Sequence, residues 1–389
     1  MPVDHALAVS LLQDLVRIPS VNPDLVPGAP GEADVAAYIE DTLRRWGLTV
    51  DVVEPAAGRP NVVATLEGTG GGRTLLFNGH MDTVGVEGMV VPYSGELRAG
   101  RVHGRGAIDM KGSLAATMAA TKAVVDDGAR LRGDVIFTYV ADEEYASLGT
   151  ERIVADIALE RLPRPDAAVN TEPTGLRVGL GHKGFTWVEV ATEGKAAHGS
   201  RPDLGVDAIA QMGKVLVEVG RWQARLGAGE RHPLLGPGSV HASLIDGGRE
   251  MSSYPDRCTL KLERRTVPPE TADTVAAEVG GILDQLAAAD RTFEASSTVT
   301  FVRNPWQADP GSEIVRTTSA AIATVTEAPA ETMTQTGWLD SALLGDAGIP
   351  TVICGPRGDG LHAVDESVEA ASLGICAEIY EEIIRQFCG

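Results

Sequence analysis

The sequence predicts an α/β protein of two domains: an α/β/α domain interrupted by a smaller insert of ferredoxin-like order. Three observations predict it. Short, continuously apolar runs alternate with stretches of helical periodicity towards both ends of the chain, the pattern of a largely buried sheet with helices on its faces. After Gly181 the rhythm changes to strand, helix, strand, strand, helix, strand over about 120 residues, and it reverts past Asn304. A length of 389 residues leaves room for two or three domains at about 150 residues each.

In chain order, Leu7, Leu11, Leu12, Leu15 and Val16 recur at helical spacing behind Asp4, a candidate N-cap. A second helix is expected from about Glu32 through Val35, Tyr38, Ile39, Leu43 and Trp46, ending at Gly47. Strands are expected at NVVATLEG (61–68), RTLLFNG (73–79), GDVIFTYVAD (133–142) and DAAVN (166–170). Helices from Ser113 to Val125 and from about Ser147 to Leu159 lie between the later ones. In the insert, FTWVEVATEG, SVHASLID, RCTLKLERRTV and STVTFV read as strands, with helices over Val206–Arg225 and Glu270–Ala289. The strand PTVICG (350–355) and a helix from about Ser367 end the chain. The expected domains are 1–180 with 305–389, and 181–304 as the insert.

Composition narrows the function. Formal charge is −21 and the sequence pI about 4.8, so phosphate backbones would repel the chain and nucleic acid is not an expected partner. No stretch approaches the ~20 apolar residues of a membrane span. The N-terminus carries Asp4 and His5 where a signal peptide would be basic. Four scattered cysteines (Cys258, Cys354, Cys376 and Cys388), with no C-x-x-C pair, read as reduced and mostly buried thiols of a cytoplasmic protein. A 43% hydrophobic content excludes disorder, and no repeat points to a solenoid.

In open α/β sheets, ligands bind beyond the carboxyl ends of the strands. There, RTLLFNG leads into His80-Met81-Asp82, GDVIFTYVAD into Glu143-Glu144, DAAVNT into Glu172, and PTVICG through a glycine-rich loop into His362. GRGAIDMKG places Asp109 just before a helix. Imidazole and carboxylate without thiolate suit zinc, cobalt or manganese in a hydrolytic site. In His80-x-Asp82 the carboxylate can accept the second imidazole N–H, fixing the tautomer. Glu143 and Glu144 project differently, so one can ligate while the other takes a proton from water.

GHMDTV, GRGAIDMKG, DEE, NTEPT and GLHAVDE, in this order, resemble the family of acetylornithine deacetylase, succinyl-diaminopimelate desuccinylase, aminoacylase and carboxypeptidase G, over nearly the whole chain. The resemblance implies a two-zinc site: His80 and Glu172 on one metal, Glu144 and His362 on the other, and Asp109 bridging. It implies that Asp82 orients His80 and that Glu143 is the general base, then the acid. It implies too that His198, in AAHGSRP, stabilises the tetrahedral intermediate, commonly from the partner subunit of a homodimer formed through the insert, which serves as a lid. Arg265, in ERRTVPP, sits where the family often has an arginine that grips a substrate carboxylate; its alternative is a salt bridge to Glu263 or another acid of the insert. Ser252 or Ser253 stands near where many relatives carry Asn, His103 occupies a position often aromatic in relatives, and QTGWLDSALL matches its counterpart loosely, with Asp340 in the expected place. These departures leave substrate choice open.

His5, His103, His182, His232 and His241 read as surface or satisfied histidines. The G-x-G of GRGAIDMKG lacks the third glycine of a dinucleotide loop. The expected activity is deacylation of an N-acyl amino acid, with dipeptidase or carboxypeptidase as alternative. A non-catalytic metal- or ligand-binding relative is the reading from another class; an intact Glu143 argues against it, because binding alone needs no base.

Overall fold

The computed structural model describes residues 2–389, and the chain divides into two compact units. One runs through Leu180 and resumes over Ala308–Met333 and Leu339–Gly389; the other is Gly181–Gln307 with Thr334–Trp338. The sequence reading placed the return at 305 and did not assign 334–338 to the insert.

The first unit is built on a mixed sheet with strand order Thr49–Ala56, Arg59–Leu66, Val135–Val140, Leu75–His80, Ala167–Asn170, Thr351–Ile353, Val178–His182. The middle four strands are mutually parallel. Their register aligns His80 with Val140, Asn78 with Asn170 and Ile353 with Asn170, so the residues that follow each strand emerge along one rim. All four are buried along their length, as parallel strands covered on both faces must be.

On one face, Phe77 stacks on Phe137 with ring centroids 5.4 Å apart and meets the edge of Tyr380, from the helix Ala370–Cys388. That helix packs with His5–Arg17 and Lys111–Asp126. On the other face, Leu76, Ile136 and Ala168 join Ile153 and Ile157 of the helix Leu148–Ala158 and Leu344 of Ser341–Asp346. The Asp4 carboxylate caps the first helix, accepting the N–H groups of Ala6 and Leu7.

Some elements escaped the sequence reading. Thr49–Ala56 is an edge strand with mixed exposure that hairpins onto Arg59–Leu66. The helix Glu313–Thr326 was not expected either. The last helix begins at Ala370 instead of Ser367, because Ser367–Glu369 first forms a ladder with Arg101–His103 that satisfies its backbone.

In the second unit, the strands order as Ser239–Gly247, Arg257–Thr266, Gly184–Glu193, Glu294–Arg303, all antiparallel. This is the ferredoxin-like order. Val188, Val190, Leu260 and Leu262 pack against Met212, Val215 and Trp222 of the helix Ala208–Ala228 and Val275 and Val279 of Ala272–Ala289. All four cysteines are free and buried. Among the described residues no helix is long and apolar enough to cross a membrane.

Candidate metal centre

The rim of the first unit gathers His80, Asp109, Glu143, Glu144, Glu172 and His362. His80, at the end of its strand, is 1% exposed, and the preceding Gly79 leaves no room for a side chain: a Cβ there would lie 2.6 Å from Thr171 Oγ1. His80 Nε2 lies 3.2 Å from Asp109 Oδ1 and 3.6 Å from Glu172 Oε1. His362 Nε2 lies 3.3 Å from the other Asp109 oxygen, Oδ2, and 3.1 Å from Glu144 Oε2. Two triplets result, His80–Asp109–Glu172 and Asp109–Glu144–His362, each with one donor atom per residue and all donors within 4.8 Å of one another. Asp109 is common to both. Glu143 belongs to neither triplet, yet its Oε2 is 3.9 Å from His80 Nε2.

Asp82 meets His80 through two of its atoms. His80 Nδ1 donates to the main-chain carbonyl of Asp82 at 3.0 Å, whereas the carboxylate oxygen is 3.4 Å away. The carboxylate is engaged elsewhere: it accepts Asn22 Nδ2 at 2.8 Å and the main-chain N–H groups of Glu143 at 3.1 Å and Glu144 at 3.2 Å. With Nδ1 donating to that carbonyl, a neutral ring would carry its lone pair on Nε2, the nitrogen that faces Asp109, and could ligate a cation set between them.

Charge makes the site unusual. Asp82, Asp109, Glu172 and Asp340 are buried, the side chains of Glu143 and Glu144 are 9% and 6% exposed, and His80 lies among them with His362 at the mouth. Burial, reinforced by neighbouring carboxylates, pushes Glu143 and Glu172 well above the usual range. Burial and Asp109 raise Glu144 to about 7. At Asp109 burial also opposes the charge, but hydrogen bonds from His362 and His80 outweigh it and hold the carboxyl well below the usual range. Burial likewise works against a charged His80, and the surrounding carboxylates reverse this and raise it strongly. Hydrogen bonds to Asp109 and Glu144 push His362 up to about 10. Glu144 Oε1 is buried without a hydrogen-bond partner. Excess buried negative charge, an orphaned carboxylate oxygen and two N/O donor triplets fit divalent cations, which supply the missing positive charge.

Three residues near the rim were not read from the sequence as part of the site. Arg59 pairs with Glu32 through two bonds of 2.7 Å and reaches Asp142 at 3.0 Å, just before Glu143. Asn22 donates to both Asp82 and Asp142. Glu366, inside the quoted GLHAVDE segment, accepts the main-chain N–H of Asp109 at 3.1 Å. Asp340 is buried and accepts Thr150 Oγ1 at 2.6 Å; burial raises it to about 6.

His198 and Arg265 belong to the second unit. His198 is exposed, and its Nδ1 accepts the main-chain N–H of Ser200 at 3.2 Å, which leaves Nε2 as the N–H donor of the neutral ring. Arg265 pairs with Glu263 at 2.6 Å and lies over the Phe185 ring. His182 is buried and stacks on Trp306, while His5 pairs with Glu378.

The chain is similar to a deformylase of N-formyl-4-amino-5-aminomethyl-2-methylpyrimidine from Halalkalibacterium halodurans, 27% identical over 98% of this chain and 94% of that protein. It is 28% identical to a succinyl-diaminopimelate desuccinylase from Rhodospirillum centenum, over 98% and 97% of the two chains. Its fold matches that of a dinuclear metal-binding peptidase from Bacillus subtilis with a TM-score of 0.75, at 17% identity over 99% and 98% of the chains. The profile of peptidase family M20/M25/M40 matches residues 76–386, most of the sequence and every residue of the two donor triplets, and the chain belongs to that family.

Proposed function

We propose that this chain is a metal-dependent amidohydrolase that removes the acyl group from an N-acyl amino acid or a related small N-acyl amine. The observation that carries the reading is the position of Glu143: its side chain, 9% exposed, lies beside two donor triplets and is a member of neither. A carboxylate there is free to move protons. The two relatives named as deformylase and desuccinylase support deacylation of a small amide. The fold shared with a solved peptidase keeps a dipeptidase or carboxypeptidase as the second reading.

His80 and Glu172 would hold one divalent ion, Glu144 and His362 the other, and Asp109 both. Zinc is proposed ahead of cobalt or manganese. Two such ions supply Lewis acidity, which polarises an amide carbonyl and acidifies water. Glu143 takes the proton of the attacking water and delivers it to the amine nitrogen as the C–N bond breaks. Asp82 holds the Glu143–Glu144 backbone and, through its carbonyl, the His80 ring. His198 presents Nε2–H to the developing oxyanion. Arg265 would grip a substrate carboxylate once released from Glu263.

A homodimer through the second unit is part of this reading. Ser239–Gly247 is an edge strand with Leu244 and Ile245 exposed, and Ile209 and Val217 of the helix Ala208–Ala228 are exposed as well. An apolar strand edge is a natural pairing surface. Four unpaired thiols support a cytoplasmic location.

The test is a hydrolysis screen of N-formyl, N-acetyl and N-succinyl amino acids and of dipeptides, with zinc, cobalt or manganese added. Turnover of the acylated amino acids with metal, lost on chelation, is the expected result. Turnover of dipeptides alone would move the assignment to the peptidase reading. Metal binding without turnover of any amide would favour a non-catalytic protein.

A further inference from the structure

Resting on the two-metal reading above, we infer that Glu366 is a positioning residue that holds Asp109, and through it both donor triplets, in ligating geometry. Glu366 is 1% exposed, and each of its carboxylate oxygens accepts two hydrogen bonds. Oε1 accepts the N–H groups of Ile108 at 3.0 Å and Asp109 at 3.1 Å. Oε2 accepts the N–H of Gly106 at 3.0 Å and Nη1 of Arg105 at 2.6 Å. The loop before Asp109 thus wraps around one carboxylate as a backbone nest wraps around an anion.

Arg105 extends the arrangement. It is 3% exposed, its Nε donates to Gly85 O at 3.0 Å, and its Nη2 donates to Ala363 O at 3.1 Å. Gly85 lies just past Asp82, and Ala363 follows His362. One buried ion pair therefore laces together the loops that carry His80, Asp109 and His362. The turn leading to Glu366 suits this close approach: Gly360 has φ +80°, and a Cβ on it would come within 3.0 Å of Glu366 Cα.

The placement matters because Asp109 faces two ways. Its Oδ1 meets His80 Nε2 and its Oδ2 meets His362 Nε2, so a shift of its backbone disturbs both triplets at once. Asp109, Glu144 and Glu172 are carboxylates held close to one another, an arrangement that opposes the approach of the loops that carry them. Four donors converging on Glu366 resist that, so that binding ions need not order the loop.

The experiment is Glu366→Gln, which keeps the size but turns an N–H donor towards N–H donors. With the fold intact by circular dichroism, zinc affinity measured by chelator competition should fall ~10–100-fold, the usual effect of removing a group that orients a ligand. The visible spectrum of the cobalt-substituted protein should change as well. Glu270→Gln removes a partner of buried Arg264 in the other unit, and should leave zinc affinity unchanged. Wild-type zinc affinity in a folded Glu366→Gln protein would overturn the inference alone. Absence of zinc binding by the wild type would overturn the two-metal reading and this inference with it. Should Glu366→Gln fail to fold, amide exchange in the metal-free wild type decides. Slow exchange at Gly106, Ile108 and Asp109 supports the role of Glu366, and exchange at the rate of an open loop refutes it.

Discussion

The carboxylate of Asp82 accepts the main-chain N–H of Glu143 at 3.1 Å and, through its other oxygen, that of Glu144 at 3.2 Å. It thus fixes the proposed base and its metal-binding neighbour relative to the His80 strand. An Asp82→Asn variant would set an amide N–H against one of those donors. Activity or metal affinity should fall ~10–100-fold, as is usual when an outer partner of a metal site is removed. A variant with unaltered metal affinity and unaltered kcat would show that the turn holds itself.

Glu143 itself is separable from the ligands. Glu143→Ala should keep near-normal metal content and lose about 10²–10⁴-fold in kcat, the range of general acid–base catalysis. Loss of metal instead would mean that Glu143 and Glu144 exchange the roles proposed here.

Asp109 should behave in the opposite way. It is the residue shared by both triplets, so Asp109→Ala should disturb both ions together. Elemental analysis that still finds two metals per chain would contradict the bridging role.

Arg59 gives a stability prediction. Its guanidinium, 8% exposed, faces Glu32 and Asp142, both fully buried. Arg59→Met would leave these carboxylates without their cation, and breaking one partner out of a buried ionic cluster costs about 3–5 kcal/mol. Chemical denaturation should show a loss of that size. A change within about 0.5 kcal/mol, the range of ordinary surface substitutions, would mean that the cluster protonates or rehydrates at little cost.

The parallel core of the fold was legible because buried strands are written as nearly continuous apolar runs such as VIFTYV, and the ligand types because His, Asp or Glu stands just past three of these runs and, beyond a glycine-rich loop, past PTVICG. Thr49–Ala56 was not legible, since an edge strand half in water has no clean alternation. Arg59, Asn22 and Glu366 were missed for a different reason. Their partners lie 27 to 261 positions away in the chain, and spacing rules see only neighbours. Asp82 was read as a carboxylate for His80; that oxygen lies 3.4 Å from Nδ1, and the main-chain carbonyl of the same residue lies closer, at 3.0 Å. Sequence shows which side chain is near but not that a closer backbone atom competes for the same donor.

His198 tests unit, assembly and mechanism together. It belongs to the second unit, whereas every residue of the two triplets belongs to the first. Its Nδ1 is occupied by the Ser200 N–H, so the neutral ring has a single donor, Nε2–H, to offer an oxyanion. A positioned donor of this kind is worth ~10²–10³-fold in kcat. His198→Ala should therefore lower kcat by that amount and leave metal content unchanged. If the residue acts across a dimer, mixing His198→Ala with inactive Glu143→Ala should restore activity, because a hybrid dimer holds one site with both residues intact. Random exchange of equal amounts makes about half the dimers hybrid, each with one good site of two, so recovery should reach roughly a quarter of wild-type activity. No recovery despite proven subunit exchange would place His198 in service of its own chain. Full activity of the single variant would remove it from the mechanism.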